Sequence, residues 1–132
     1  MYSFAQRTDT QVVDEPLYGH YLVASGADHP GRDEVIAAMD CDGDRVARHL
    51  VEASADAPVL FMKHMAHHLL ELDDHFLDAF DNVLLIRDPQ DMLPSLTIQV
   101  PDATLADTGL ARQCRLFDAL ESRGRAPAVL DS

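Results

Sequence analysis

The sequence predicts an α/β fold in which a parallel sheet is flanked by helices. Three observations lead to this prediction: short apolar runs alternate with segments of helical periodicity, most of the runs are continuously apolar, and each ends in polar or charged residues. Continuous apolar runs are typical of strands that are covered on both faces. Strands that alternate with helices favour a parallel sheet with right-handed crossovers.

Four short apolar runs are predicted to form the buried strands. The first ends in an acidic turn, and the other three are continuously apolar. The runs are Gln11–Asp14, Pro58–Met62, Asn82–Ile86 and Pro127–Leu130. In open α/β sheets, ligands bind at the carboxyl ends of the parallel strands. We therefore expect functional side chains in the residues that directly follow these runs.

The segments between the runs carry helical periodicity. Residues 32–54 predict one or two helices, with a break at the sequence Cys41-Asp42-Gly43. Within His64–Phe80, apolar residues recur every three or four positions, which predicts one helix with a single apolar face. The same pattern predicts a helix over Leu110–Ser122. Gly124 is a suitable stop for it, because glycine favours the left-handed conformation that ends helices.

The length of the chain suits one domain, and its two ends suggest that the domain is incomplete. A chain of 132 residues, of which 47% are hydrophobic, can bury a core but is too short for two domains. Met1–Arg7 resembles the second half of a helix with no cap before it, and Ser132 directly follows the last strand. We therefore expect residues 1–132 to form a single partial domain.

Charge excludes two classes of partner. Asp and Glu outnumber Lys and Arg by 23 to 10, which gives a formal net charge of −13. The resulting field repels nucleic acid and anionic membranes, so we expect neither as a partner. No apolar run approaches the roughly 20 residues that span a bilayer, and no leader with a basic start and an apolar stretch opens the chain.

Cysteine content fits a protein of the cytoplasm. Cys41 and Cys114 are too few and too far apart in sequence for a disulfide framework or a thiolate metal site, and we interpret them as free thiols. Because the sequence has neither a membrane-spanning run nor a leader, we expect a cytoplasmic location. Self-association into a homo-oligomer through an exposed strand edge is compatible with the sequence.

The segment after the third run contains a candidate anion-binding pocket. Arg87 ends the strand, Pro89 suits the first turn of a following helix, and Asp91 lies within that turn. Ser95 comes eight residues after Arg87, about two turns into the helix. A guanidinium and a hydroxyl on the same side can bind phosphate oxygens. The alternative is an ion pair of Arg87 with Asp88 or Asp91, with Ser95 as a passive helix residue.

These residues resemble those of a known family. The sequence LIRDP followed by Ser95 is similar to the 3′-phosphate-binding segment of sulfotransferases that use 3′-phosphoadenosine 5′-phosphosulfate. Nearly the whole chain resembles a bacterial sulfotransferase-like family, whose relatives are sometimes labelled branched-chain aminotransferase-like. The segments that carry the resemblance are MYSFAQR, VVDEPLYGHYL, ADHPGR, VLFMKHMAHHLL, LLIRDPQDMLPSL, TLADTGL and PAVLDS.

The resemblance implies a P-loop NTPase-like sulfotransferase fold. It also implies sulfuryl transfer from 3′-phosphoadenosine 5′-phosphosulfate, as co-substrate, to a hydroxyl or amine of a small-molecule acceptor. Arg87 and Ser95 match the family's positions that hold the 3′-phosphate. A second phosphate element of the family, a strand-to-helix loop resembling G-P-R-N-x-S-T, does not occur in the sequence. We therefore expect an incomplete sulfotransferase domain that is inactive by itself.

Lys63 and His64 follow the second run and are the candidate catalytic pair. Sulfuryl transfer needs a base for the acceptor and a cation to offset charge on the leaving phosphate. Lys63, the only lysine of the chain, is interpreted as the charge stabiliser. His64 is favoured as the base, His67 is the second choice, and Glu15 competes because its Glu-Pro setting resembles that of bacterial sulfotransferases. The alternative is a solvated Lys63, a His64 that caps a helix, and an acidic turn at Glu15.

Other interpretations use the same region. His64, His68, Glu71 and His75 recur every three or four positions, so one helix would place them in a stripe that can bind zinc or another transition metal. No H-E-x-x-H motif accompanies them, and we predict no metal site. A pyridoxal phosphate enzyme needs a Schiff-base lysine, for which Lys63 is the only candidate. The remaining alternative is a non-catalytic nucleotide- or metal-binding remnant of the sulfotransferase fold.

Overall fold

The predicted strands form, and they pair in parallel. A computed structural model describes residues 1–99 and 101–132 and has a mixed α/β architecture. Parallel strands flanked by helices are thus confirmed. Among the described residues, β1 pairs with β2 and β3 pairs with β4, so that two two-stranded sheets are present. The strands are β1 (Thr10–Asp14), β2 (Val59–Lys63), β3 (Val83–Ile86) and β4 (Ala128–Asp131).

Helices connect the strands, and several of them are short. The 3₁₀ helices cover Ala66–Leu69, Asp74–Ala79 and Ala106–Thr108. In the described part of the chain, no helix is both long enough and apolar enough to cross a membrane. The α-helices are α1 (Tyr2–Ala5), α2 (Tyr18–Ser25), α3 (Arg32–Ala38), α4 (Gly43–Ala53), α5 (Pro89–Gln99) and α6 (Leu110–Ser122).

The chain divides into two compact units, Met1–Phe76 and Leu77–Ser132. In the first unit, the parallel register of β1 and β2 sets Asp14 opposite Lys63. The predicted break between two helices lies between α3 and α4, where an Asp42 Oδ1 atom accepts a hydrogen bond from the backbone N–H of Arg45 at 3.0 Å. This contact caps α4 and supplies an acceptor that the helix start lacks.

The prediction of one helix over His64–Phe80 is wrong. The segment forms two 3₁₀ helices, Ala66–Leu69 and Asp74–Ala79, instead of a continuous α-helix. Between them, Glu71 adopts a left-handed backbone with a φ of 54°, which stops helical propagation. Asp73 Oδ1 then accepts a hydrogen bond from the backbone N–H of His75 at 3.0 Å. Such local side-chain bonds compete with a continuous helix, although the apolar spacing suits one.

The second unit joins β3 and β4 to α5 and α6. Two sequence expectations hold here: α5 begins at Pro89, and Gly124, with a φ of 71°, follows the end of α6. The backbone N–H of Arg125 donates to the Leu120 carbonyl at 2.8 Å, which closes the helix end in the manner of a glycine C-cap. Arg123 Nε lies 2.8 Å from Asp78 Oδ1, an ion pair that ties the end of α6 to the start of the unit.

Burial of β3 and β4 on both faces, which the apolar runs predicted, is not found. Val83 and Leu85 of β3 are 56% and 59% exposed, and Val129 and Leu130 of β4 are 46% and 55% exposed. Both strands are edge strands of a two-stranded sheet, so neighbouring strands cover less of their surface. Within the second unit, α6 is the helix that contacts β3 most. Apolar character alone therefore identified these strands correctly but not their surroundings.

Gly43, the first residue of α4, lies against His20. A Cβ atom at position 43 would lie 2.7 Å from His20 Nδ1, while His20 Nε2 is held 2.7 Å from the Leu70 carbonyl oxygen. We expect Gly43→Ala to lower the free energy of unfolding by about 1–3 kcal/mol, the usual effect of overpacking. Alanine is intrinsically the better helix former, so steric conflict must dominate for this sign to appear. Urea denaturation measures the change.

The control for this prediction is the same substitution in a chain that lacks the imidazole. In a His20→Ala background, Gly43→Ala should cost little stability, because the nearest atoms to the new Cβ belong to the His20 ring. Equal destabilisation in both backgrounds would contradict the proposed steric conflict.

Candidate functional site

The parallel register of β1 and β2 brings Lys63 and Glu15 together. Lys63 ends β2, and Glu15 directly follows β1 at the same edge of the sheet. Lys63 Nζ forms a hydrogen-bonded ion pair with Glu15 Oε1 and lies 3.6 Å from Asp14 Oδ1. The backbone N–H of Glu15 donates to the Lys63 carbonyl at 2.9 Å. A main-chain and a side-chain hydrogen bond therefore join the same two residues.

Glu15 has an unusual backbone conformation. Its φ is 45°, in the left-handed region that residues with a Cβ rarely occupy, and Pro16 follows it. A residue before proline ordinarily adopts extended geometry, so this conformation is disfavoured twice. The surrounding contacts hold it, including the hydrogen bond from the Tyr18 N–H to the Glu15 carbonyl at 3.0 Å. Strained residues of this kind concentrate at functional sites, where they aim a side chain.

The ion pair keeps Lys63 positively charged. The hydrogen bond that Lys63 donates to Glu15 is the largest cause that raises the Lys63 pKa above its usual value, and burial opposes it only in part. Attraction to the Glu15 and Asp14 carboxylates adds to the increase. The Lys63 side chain remains 44% exposed. An anion that approaches this edge of the sheet would therefore meet a fully protonated ammonium.

His64, the next residue, is neutral at pH 7. Burial lowers its pKa below the usual value of 6.5. Both ring nitrogens are buried without a hydrogen-bond partner among the described residues, and the ring packs edge-on against Phe76 with centroids 6.3 Å apart. A neutral imidazole keeps one nitrogen lone pair, so His64 can accept a proton. A cation, Lys63, and a neutral base, His64, are thus consecutive residues.

His67 and His68 lie in the 3₁₀ helix Ala66–Leu69 and pack on aromatic rings. His68 is 2% exposed and stacks on both Tyr18 and Tyr21, with ring centroids 5.2 and 4.9 Å apart. His67 meets Tyr21 edge-on at 5.0 Å. The sequence gives no indication of this cluster, because a contact between residues so far apart in sequence leaves no periodic signal.

The structure does not produce the histidine stripe of the metal interpretation. The stripe required a continuous helix through His64, His68, Glu71 and His75, and that helix is absent. Among the described residues, one group of possible ligands converges, Asp73, Asp74 and His75. Its closest contact, His75 Nδ1 to Asp73 Oδ1 at 2.6 Å, is a local pair between exposed side chains. The group therefore supplies no argument for a bound metal.

Arg87 and Ser95 lie in the second unit. Arg87 directly follows β3 and is exposed, and Ser95 is an exposed residue of α5. Asp88 Oδ1 accepts the Gln90 N–H at 2.8 Å at the start of α5. Within residues 1–99 and 101–132, Arg87 makes no salt bridge with Asp88 or Asp91, so the ion-pair alternative is not found in the structure.

The fold is that of an α/β protein with charged and basic side chains directly after its parallel strands. A model of the family described as Sulfotransferase domain matches residues 1–125. The chain therefore belongs to the sulfotransferase domain family, and the predicted resemblance to sulfotransferases is confirmed.

Two plant proteins are similar to the chain over its whole length. Branched-chain-amino-acid aminotransferase-like proteins 1 and 2 of Arabidopsis thaliana are 38% and 34% identical over 133 residues. These matches cover 100% of this chain and 24% of each relative. The chain thus spans about a quarter of the length of these curated relatives. No solved structure matches the chain.

Because Lys63 is the only lysine, acylation of a lysine side chain reports on this residue alone. Glu15→Gln should increase the rate of Lys63 acylation by an amine-reactive reagent about three- to tenfold. The substitution removes the contact that raises the Lys63 pKa, and so enlarges the fraction of reactive free amine. Peptide mass spectrometry separates Lys63 from the amino terminus. The exposed Asp56 provides the control variant, Asp56→Asn, and an equal rate in all three chains would contradict a persistent Lys63–Glu15 contact.

Proposed function

We propose that the chain supplies part of the active site of a sulfotransferase. The reaction would transfer a sulfuryl group from 3′-phosphoadenosine 5′-phosphosulfate to a hydroxyl or amine of a small-molecule acceptor. One observation carries the proposal: in a member of the sulfotransferase domain family, the Glu15-bound ammonium of Lys63 is followed directly by the neutral, half-buried His64.

Sulfuryl transfer uses these two groups in different ways. The acceptor oxygen or nitrogen attacks sulfur, the bond from sulfur to the bridging phosphate oxygen breaks, and the acceptor proton passes to a base. We assign the base to His64, because its imidazole is neutral and neither ring nitrogen has a hydrogen-bond partner among the described residues. We assign the developing charge on the leaving phosphate to Lys63, whose ammonium is a pre-positioned cation.

Glu15 is better suited to positioning than to base catalysis. Its carboxylate is engaged by Lys63, so it would have to give up an ion pair before it could accept a proton. Its left-handed backbone fixes the direction from which it holds the ammonium. His67 is also less suited, because its ring packs on Tyr21 and on His68. Among the three base candidates from the sequence, we therefore favour His64.

We assign Arg87 and Ser95 to the 3′-phosphate of the nucleotide. The exposed guanidinium directly follows β3, the position at which open α/β sheets place ligand-binding residues. It is one of ten lysine and arginine residues in a chain of net charge −13, so an unpaired cation at a strand end is a local exception to the overall field. Guanidinium binds phosphate oxygens in a bidentate manner, and the Ser95 hydroxyl could add a further donor.

We also propose, as the sequence predicts, that the protein is cytoplasmic.

Nucleotide binding is tested by calorimetry with 3′,5′-adenosine bisphosphate on the intact protein. Arg87→Ala should weaken binding about ten- to a hundredfold, because charge-assisted hydrogen bonds are lost, and Ser95→Ala should weaken it less. Arg115→Ala removes an exposed arginine of α6 and is the matched control. Binding that is insensitive to Arg87→Ala, or equally weakened by Arg115→Ala, would refute the assignment. Binding without any sulfuryl transfer would instead favour the non-catalytic alternative.

Turnover tests the base. With radiolabelled co-substrate and a panel of phenols, alcohols and primary amines, His64→Ala should lower kcat about 10²- to 10⁴-fold, the usual contribution of a general base. Since burial lowers the His64 pKa below 6.5, wild-type kcat should stay level as the pH falls to 6.5 and decline only below it. The exposed His49 gives the control variant, His49→Ala. A decline that starts well above pH 6.5 would contradict the role of His64.

A further inference from the structure

A buried imidazole joins the segment after Lys63 and His64 to α2. We call residues 65–70 the histidine segment; it contains the 3₁₀ helix Ala66–Leu69. His68 of this segment stacks on Tyr18 and Tyr21 with interplanar angles of 24° and 29°. These two tyrosines lie one turn apart on α2, so the same face of the helix holds the ring. His68 is the sole buried polar or charged side chain among the described residues.

Further imidazoles surround this contact. His67 meets His68 edge-on with ring centroids 4.7 Å apart. His29, from the loop before α3, lies 3.0 Å from the Tyr18 hydroxyl through its Nδ1 atom and 5.9 Å from the Tyr21 ring. The cluster therefore consists of two phenol rings and three imidazoles, drawn from α2, the loop that follows it and the histidine segment.

The surroundings of His68 favour the neutral ring and oppose the charged one. Its Nδ1 atom is buried without a hydrogen-bond partner among the described residues, so a proton there would find no acceptor. The ionisable groups that act on it are His67 of its own segment, His64 and Lys63 before that segment, and His29 of the loop. All of these are nitrogen bases that lower the His68 pKa, and no carboxylate is among them.

We propose that the histidine segment is an acid-sensitive latch, which packs on α2 while His68 is neutral and detaches when His68 takes up a proton. The latch is independent of the proposed function, since it rests on packing and charge in the first unit. It would nevertheless act on that site, because the segment begins directly after Lys63 and His64.

The direction of the pH effect follows from the two protonation states of His68. Burial, and then repulsion by His67, His64, His29 and Lys63, lowers the His68 pKa from its usual 6.5 to about 3. Above pH 6.5 the ring is neutral whether the segment is attached or detached, so pH has no effect. Below pH 6.5 only the detached ring is protonated, and each further pH unit favours detachment about tenfold until about pH 3. His64, whose pKa burial also lowers, adds an effect of the same sign.

Hydrogen exchange of single backbone amides tests the latch. The His68 N–H donates to the Met65 carbonyl at 2.9 Å and reports on the segment, whereas the Val46 N–H donates to the Asp42 carbonyl at 2.9 Å and reports on α4. After correction for intrinsic exchange, protection at position 68 should fall about tenfold or more per pH unit below about pH 6. Protection at Val46 should persist, since release of the segment is local. Protection at position 68 that is constant from pH 6.5 to 4.5 would overturn the proposal.

Two variants separate titration of His68 from a general effect of acid. His68→Phe keeps an aromatic ring against the tyrosines but cannot take up a proton. In this variant the fold-change in protection at position 68 per pH unit should be at least ten times smaller than in the wild type. His49→Gln removes an exposed imidazole of α4 and should follow the wild-type curve. The proposal fails if His68→Phe also follows that curve.

A second measurement remains decisive if His68→Phe does not fold. When the wild-type protein is titrated through pH 6.5, the carbon-bound ring protons of His68 should show no midpoint near 6.5 as long as the amide at position 68 stays protected. An ordinary midpoint near 6.5 with protection retained would show that the attached segment tolerates a charged His68, and would overturn the latch.

Discussion

The contact between Lys63 and Glu15 is the constraint around which the first unit's site is arranged. It exists because β1 and β2 run parallel in a register that ends both strands at the same edge, Asp14 opposite Lys63. The contact also explains why Glu15 occupies a left-handed backbone region: the N–H of this residue and its carboxylate both bind Lys63. A shift of the register by one residue would turn these side chains to opposite faces of the sheet and separate them.

The strands and the positions of the candidate site residues at their ends could be predicted from the sequence, because they depend on local patterns. The apolar runs located the four strands to within a residue or two, and the rule for carboxyl ends of parallel strands pointed to Lys63, Glu15 and Arg87. Gly124 was identified from its position after an amphipathic pattern, and its positive φ gives the physical reason. Each of these features is decided by a few neighbouring residues and by the requirement that apolar side chains be buried.

The remaining features could not be predicted, because they depend on contacts between distant residues. The apolar spacing of His64–Phe80 suits an α-helix. The pattern does not indicate the left-handed backbone of Glu71, which interrupts that helix in the structure. The stack of His68 on Tyr18 and Tyr21 joins residues about fifty positions apart and leaves no periodic trace. Exposure of β3 and β4 likewise depends on which layers cover a strand, and an apolar run carries no information about them.

Charge is arranged at this site against the overall character of the chain. With a net charge of −13, the molecule repels anions at long range, so an anionic ligand must be attracted by a local cation. Lys63 is such a cation, but its partner Glu15 offsets much of its field while it keeps the ammonium protonated. Burial lowers the pKa values of His64 and His68, so these two imidazoles add no charge at pH 7. An anionic ligand that displaced Glu15 from Lys63 would therefore interact with the full charge of the ammonium, so the ion pair is a point at which an anion and the Glu15 carboxylate would compete.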